Sequence, residues 1–269
     1  MNGLLAGQTA VVTGAGRGWG HSVCRMMCRQ GAAVVAASEV GQELAGLQRT
    51  VREEGGDIEI AAVDLRDRNA TDTFAAGVLD RHGRVDTLVN GAAILRNRHF
   101  LDLTQAQVEE TLEIMLAAPM RLVRWFVPGM IEAGRGSIIN ISSRAGRVGS
   151  AGESDYCAAK FGLEGFSYAL AEELGPHNVS VNLLTPGKDI GDRPIKPTSV
   201  TASEFDDWPA EKRSRYRDSM ELTEAFVYLA LQDAKSLTGR RFSAIALSQA
   251  IRDHGYELPE DVLATVPEE

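Results

Sequence analysis

Two textures of apolar residues alternate along the chain. Residues 9–13, 33–37, 58–63, 86–89, 137–141 and 179–184 are short, mostly apolar runs rich in Val and Ile, as expected for parallel strands covered on both faces. Between them the apolar spacing stretches to a helical period over residues 18–30, 41–54, 69–81, 105–132 and 154–174. Thr104 followed by Gln107 is the pattern of a capping box, in which each side chain satisfies a backbone N–H left free at a helix start. Pro119 is expected to kink or break the long helix that follows, because it removes a hydrogen bond and crowds the preceding turn. Strand and helix alternating this often predict βαβ units, hence an α/β chain with a doubly wound central parallel sheet flanked by helices. No repeat or Pro/Ser-rich linker divides the pattern, so residues 1–247 are expected to form one domain. The irregular stretch 186–209 follows the carboxyl end of a strand, where open α/β sheets bind ligands, and is read as a substrate lid. Residues 248–269 show too little periodicity for an assignment.

Composition narrows the chemistry. The 269 residues are 44% hydrophobic and 24% charged, with a net charge of −9. That is a globular composition with an acidic surplus, which argues against nucleic acid or an anionic membrane as the partner. No run of 18 apolar residues occurs, and residues 1–7 lack the basic start and apolar stretch of a secretory signal. Three cysteines, two of them (Cys24 and Cys28) one helical turn apart, offer no disulfide framework, so a cytoplasmic setting is expected. His21, His82, His99, His177 and His254 are scattered without zinc spacing, and no Gly-x-Ser-x-Gly elbow is present. A metal site and acyl-enzyme chemistry are therefore not expected.

The run Thr13-Gly14-Ala15-Gly16-Arg17-Gly18-Trp19-Gly20 directly follows the first strand and opens the first helix. Glycines there let the backbone approach a pyrophosphate, and the helix start presents free N–H groups to it. At the end of the second strand, Glu39 could accept from both ribose hydroxyls and repel the extra phosphate of NADP. Arg17 pulls the other way, because a guanidinium pairs with a 2′-phosphate. NAD is the expected cofactor, with NADP left open. Asp64 after the third strand reads either as an adenine partner or as a helix cap.

Tyr156 and Lys160 lie four apart in a predicted helix, hence on one face. Ser143 closes the fifth strand at the same edge of the sheet. A tyrosine with a pKa near 10 is a poor base at neutral pH. A neighbouring ammonium, and the positive ring of an oxidised nicotinamide, are expected to lower it. Tyr156 would then exchange a proton with an alcohol while hydride passes to or from its carbon, Ser143 would hold the substrate oxygen, and Lys160 would also bind the nicotinamide ribose. Cys157 reads as a packed apolar residue. Arg96 reads either as a substrate contact or as part of a solvated loop.

Taken together, these motifs resemble the short-chain dehydrogenase/reductase family, and the resemblance extends to about residue 245. It also rests on Val63-Asp64-Leu65, on Asn90-Gly91-Ala92-Ala93 and on Pro186-Gly187. The resemblance implies a Rossmann-type domain with Ser143, Tyr156 and Lys160 catalytic. It implies cofactor contacts from Gly14, Arg17, Gly18, Trp19, Gly20, Glu39, Asp64, Leu65, Asn90, Tyr156, Lys160, Pro186 and Gly187. It further implies a homo-oligomer, dimer or tetramer, joined through the helices at 105–132 and 154–174. Three departures stand out. Met115 replaces the family's asparagine, which helps hold a proton-relay water. Gly191 replaces a threonine that partners the carboxamide. Phe242 to Leu247 replace an acidic-Gly-Gly ending. The reading is therefore an oxidoreductase acting on a small secondary alcohol or ketone, with a catalytically weakened dinucleotide-binding scaffold or sensor as the alternative.

Overall fold

A computed structural model describes residues 3–186 and 207–268. Seven parallel strands form one sheet in the order β3-β2-β1-β4-β5-β6-β7. They are β1 Thr9–Thr13, β2 Ala33–Ser38, β3 Glu59–Ala62, β4 Thr87–Asn90, β5 Gly136–Ile141, β6 Val179–Thr185 and β7 Arg241–Ser243. The order reverses between β1 and β4, so the crevice at their carboxyl ends is the topological switch point.

Alternation along β1 shows why the sheet is covered twice. Val12 packs in a core cluster with Val23 and Met27 of α1 (Gly18–Arg29) and with Leu44 and Leu47 of α2 (Gly41–Glu53). Val11, facing the opposite way, joins Phe74 and Val78 of α3 (Arg68–His82). α4 (Gln105–Leu112), α5 (Ala118–Ala133) and α6 (Ser154–Leu174) lie on that second side. The capping box at Thr104 and Gln107 forms. The break expected at Pro119 takes another form: a π-turn, Glu113–Ala117, joins α4 to α5, and Pro119 occupies the first turn of α5. Having no N–H, Pro119 cannot bond the carbonyl of Met115 four residues back, and a π-turn accommodates that mismatch. The run Gln105–Ala133 is long and apolar enough to cross a membrane by length and composition. Its Leu122, Phe126 and Met130, however, are buried in the core beside the sheet.

The C-terminal region corrects the sequence reading. After α7 (Ala210–Arg213) and α8 (Thr223–Ala230), the chain forms β7 and passes straight into α9 (Ala244–His254). The boundary expected at residue 247 therefore falls inside a helix. α10 (Glu260–Thr265) follows, and Tyr256, Leu258, Leu263 and Val266 pack on the core of the first side. The Ser243 amide donates to the Pro267 carbonyl at 2.8 Å. The tail's apolar residues are too widely spaced to show a period, yet Ile251, Tyr256, Leu258, Leu263 and Val266 find places on that core. Of the expected lid, residues 187–206 lie outside the described residues, as do Gly187 and Gly191.

Candidate functional site

The glycine turn is shaped by backbone crowding. Gly14 has φ +69°, and a Cβ there would lie 2.8 Å from the backbone of Gly91 and Ala92. A Cβ at Gly20 would overlap the Gly14 carbonyl. The Thr13 hydroxyl fixes the facing loop, accepting from the amides of Gly91 (3.1 Å) and Ala92 (3.4 Å). Sequence reasoning assigned no role to this hydroxyl. Gly18 begins α1 at φ +58°, and neither a side-chain cap nor an acidic residue occupies the first turn. These amides are thus available to an anion.

The side chains of Trp19 and Leu65 are packed in the core. The Trp19 indole is buried, edge-on to Phe226 with ring centroids 6.0 Å apart. Leu65 is buried in the opposite core cluster. Both side chains serve packing, because large apolar groups gain more from the core than from the rim of a polar cleft. Only their backbones remain for a cofactor.

At the outer end of the crevice, Arg66 organises the carboxylates. It donates to both oxygens of Asp64 at 2.8 and 3.0 Å, bonds Glu110 at 2.8 Å, and pairs with Glu39. The Arg66 hydrogen bonds hold the Asp64 carboxyl below its usual pKa. Asp64 is not the helix cap: Asp67 caps α3, accepting from the amides of Asn69 and Ala70. Arg17 is half exposed and stands 3.8 Å from Glu43. Arg66 lay in view within the acidic-basic run after β3, but its spacing alone did not reveal a three-carboxylate hub.

Deeper in the crevice, the buried Asn90 amide donates to Asn140 at 2.8 Å, and Asn140 donates to Ser167 at 2.8 Å. The Oδ1 of Asn90 is buried with no hydrogen-bond partner among the described residues. A glycine-lined cradle, a bare helix start, carboxylates at the ends of β2 and β3 and this orphaned acceptor together fit a dinucleotide.

Ser143, Tyr156 and Lys160 do come together. One face of α6 meets the end of β5 residue by residue. The Ser143 side chain stands close enough to the Tyr156 phenol to pull its pKa down. The Lys160 ammonium donates to the Ile141 carbonyl at 2.5 Å, and Glu164 accepts from the Ser142 hydroxyl at 2.5 Å. Lys160 Nζ lies 5.7 Å from the Tyr156 ring centroid. Ser143 Oγ also accepts from the Ala145 amide at 3.2 Å, which fixes its direction. Pro186 follows β6, which pairs with β5 beside them. The electrostatics differ from expectation. Burial raises the Tyr156 phenol above its usual value, with the Ser143 side chain pulling it back down. Lys160 itself falls to about 8, lowered by burial and pulled back up by Glu164. An ammonium that is itself buried and easily lost is a weak acidifier of its neighbour.

Around this seam, the Met115 sulfur accepts the Ile94 amide at 3.4 Å. Arg96 is largely buried rather than solvated. It bonds Thr111 at 2.7 Å and approaches Asp155 at 3.7 Å, bracing α4 against the start of α6. Cys157 is buried, and all three cysteines are free thiols.

The sequence matches the family described as short chain dehydrogenase over residues 8–189. A 3-oxoacyl-(acyl-carrier-protein) reductase of Chlamydia trachomatis is 30% identical over 249 residues, covering 90% of this chain and 98% of that protein. Among solved structures, a metagenomic short-chain oxidoreductase in complex with NADP aligns with a TM-score of 0.74 at 35% identity, covering 87% of this chain and 95% of that one. Carveol dehydrogenase from Mycobacterium avium in complex with NAD aligns with a TM-score of 0.73 at 25% identity, covering 88% and 95%. A doubly wound sheet, a glycine cradle at its switch point and these likenesses agree: the chain belongs to the short-chain dehydrogenase family and is a nicotinamide-dependent oxidoreductase acting on CH–OH groups.

Proposed function

We propose that the protein interconverts a secondary alcohol and its ketone, with Ser143, Tyr156 and Lys160 as its catalytic residues. The observation that carries this reading is the seam in which Tyr156 meets Ser143 while Lys160 grips the Ile141 carbonyl beneath it. The 14–20 turn would hold the pyrophosphate, Glu39 and Asp64 the adenosine end, and Asn90, Lys160 and Pro186 the nicotinamide end. When bound, the nicotinamide supplies the carbon that gives or receives hydride and, when oxidised, a positive charge beside the phenol. Tyr156 transfers the proton. With its pKa raised by burial, it is protonated at neutral pH, the state a general acid needs, so the free site is set for ketone reduction. Ser143 donates to the substrate oxygen. Lys160, titrating near 8, passes protons onward. In place of the family's asparagine, the Met115 carbonyl, which Pro119 cannot bond, is the acceptor we assign to the relay water.

NAD is the proposed cofactor, because the Glu39 carboxylate just after β2 would repel a 2′-phosphate at the ribose end. Arg66 and Arg17 offset that charge enough to admit NADP as the weaker ligand. Residues 186–209 are proposed as the substrate lid. Phe161 and Tyr168 on α6 are large rings left exposed, which supports a homo-oligomer through α4–α6. Free cysteines and a net charge of −9 support a cytoplasmic protein with a small-molecule substrate rather than a nucleic acid or membrane partner.

The test is turnover of NAD⁺ and NADP⁺ against a panel of secondary alcohols, and of the reduced cofactors against ketones that include a 3-oxoacyl thioester. Turnover that depends on Tyr156 supports the reading. Cofactor binding with no turnover, unaffected by Tyr156→Phe, would instead make the chain a nucleotide-binding scaffold or sensor.

A further inference from the structure

Behind the catalytic seam lies a buried ion pair that the mechanism above does not use. Arg241 in β7 is 1% exposed and Glu164 in α6 is 4% exposed. The Arg241 Nε donates to Glu164 at 2.9 Å. One terminal nitrogen donates to the Ser143 carbonyl at 3.0 Å, and the other bonds the Glu268 carbonyl. The same Ser143 carbonyl accepts the Gly146 amide at 2.9 Å, closing the turn after β5. Glu164 accepts the Ser142 hydroxyl on the same oxygen that Arg241 uses, and its other oxygen lies 3.7 Å from Arg147. Arg147 in turn reaches the Glu268 carboxylate at 3.1 Å. A guanidinium with fixed, divergent N–H groups can satisfy three acceptors at once, whereas an ammonium on a flexible stem cannot hold the same geometry. Burying two charges stabilises a fold little by itself, so the arrangement calls for a role in fixing geometry.

We propose that Arg241 is a positioning residue for catalysis: it clamps the main chain of Ser143 against Glu164 of the Tyr156 helix and ties both to the C-terminal strand and tail. This rests on the reading of Ser143 and Tyr156 as catalytic. Ser143 has one rotatable bond between its main chain and its hydroxyl, so its aim follows the peptide that Arg241 holds. The last strand thereby sets the angle at which the hydroxyl meets the phenol and the substrate oxygen. An arginine immediately before the run Phe242–Leu247 is the sequence trace of this clamp.

The experiment compares Arg241→Lys and the double variant Arg241→Gln/Glu164→Gln with the wild type, using whichever alcohol of the panel turns over fastest. The lysine keeps a countercharge for Glu164 but loses the fork, and the double variant removes both charges and so avoids an orphaned carboxylate. Both are expected to bind cofactor with unchanged Kd and to lose about tenfold or more in kcat. The double variant is expected to keep a wild-type unfolding midpoint. Wild-type kcat in Arg241→Lys, or recovery of kcat together with stability in the double variant, overturns the proposal. Tyr156→Phe in the same assay separates the two claims. If it abolishes turnover while Arg241→Lys behaves as wild type, only the clamp fails. If it leaves turnover intact, the catalytic reading itself fails.

Discussion

Lys160 holds its ammonium nitrogen 5.7 Å from the centre of the Tyr156 ring while donating to the Ile141 carbonyl at 2.5 Å. One side chain therefore joins the helix of the proposed acid to the strand that delivers Ser143. It does so at a cost, because burial lowers its pKa from 10.5 to about 8. Below about pH 8 the lysine is protonated in folded and unfolded chains alike, and the full burial cost is present. Between about 8 and 10.5 the unfolded chain binds the extra proton, so stability rises with pH across that window. Lys160→Met removes this slope. The excess stability of the variant over the wild type is expected to shrink by roughly 3 kcal/mol between about pH 7 and 10.5, read from urea midpoints. A constant difference would show that Lys160 titrates normally.

Glu39 sets the cofactor balance. Glu39→Ala removes the carboxylate and releases the one Arg66 terminal nitrogen that now pairs with it, while Asp64 and Glu110 keep the rest of the guanidinium. The ratio of kcat/KM for NADP over NAD is expected to rise about tenfold, equivalent to roughly 1.4 kcal/mol. An unchanged ratio would move the discrimination to Arg17.

Gly14→Ala places a methyl group 2.8 Å from the backbone of Gly91 and Ala92 in a conformation with φ +69°. Strain and overlap together are expected to cost roughly 2–4 kcal/mol of stability. Cofactor Kd should weaken more than kcat falls, which a titration of protein fluorescence against cofactor would measure.

Met115→Asn tests the relay. The side chain is buried and its sulfur accepts the Ile94 amide, so the variant is expected to lose roughly 1–3 kcal/mol of stability. The pH–rate profile should shift while cofactor Kd stays close to wild type. A large loss of binding with an unaltered profile would remove Met115 from the proton path.

Much of this was legible in the sequence because parallel sheets write themselves in short apolar runs. The β1 run announces a strand, and the glycines after it announce a cradle, since only glycine tolerates the approach of Gly14 to Gly91 and Ala92. The Tyr156–Lys160 spacing fixed a shared helical face, and the structure brings Ser143 to it. What remained hidden was set by partners distant in sequence. Trp19 lies within a cofactor motif, yet its ring finds Phe226 some 200 residues later. Arg66 gathers carboxylates from three separate elements. The tail after residue 247 carries isolated apolar residues whose core lies on other helices. The direction of the Tyr156 shift depended on how deeply the phenol and ammonium are buried, which spacing does not encode.

The most direct measurement is the rate of hydride transfer in Tyr156→Phe, followed by the absorbance of the reduced nicotinamide, alongside cofactor Kd. The account predicts unchanged Kd and a rate reduced by about 10²–10⁴-fold, the usual range for removal of a general acid or base. A variant that binds cofactor and transfers hydride at the wild-type rate would contradict it.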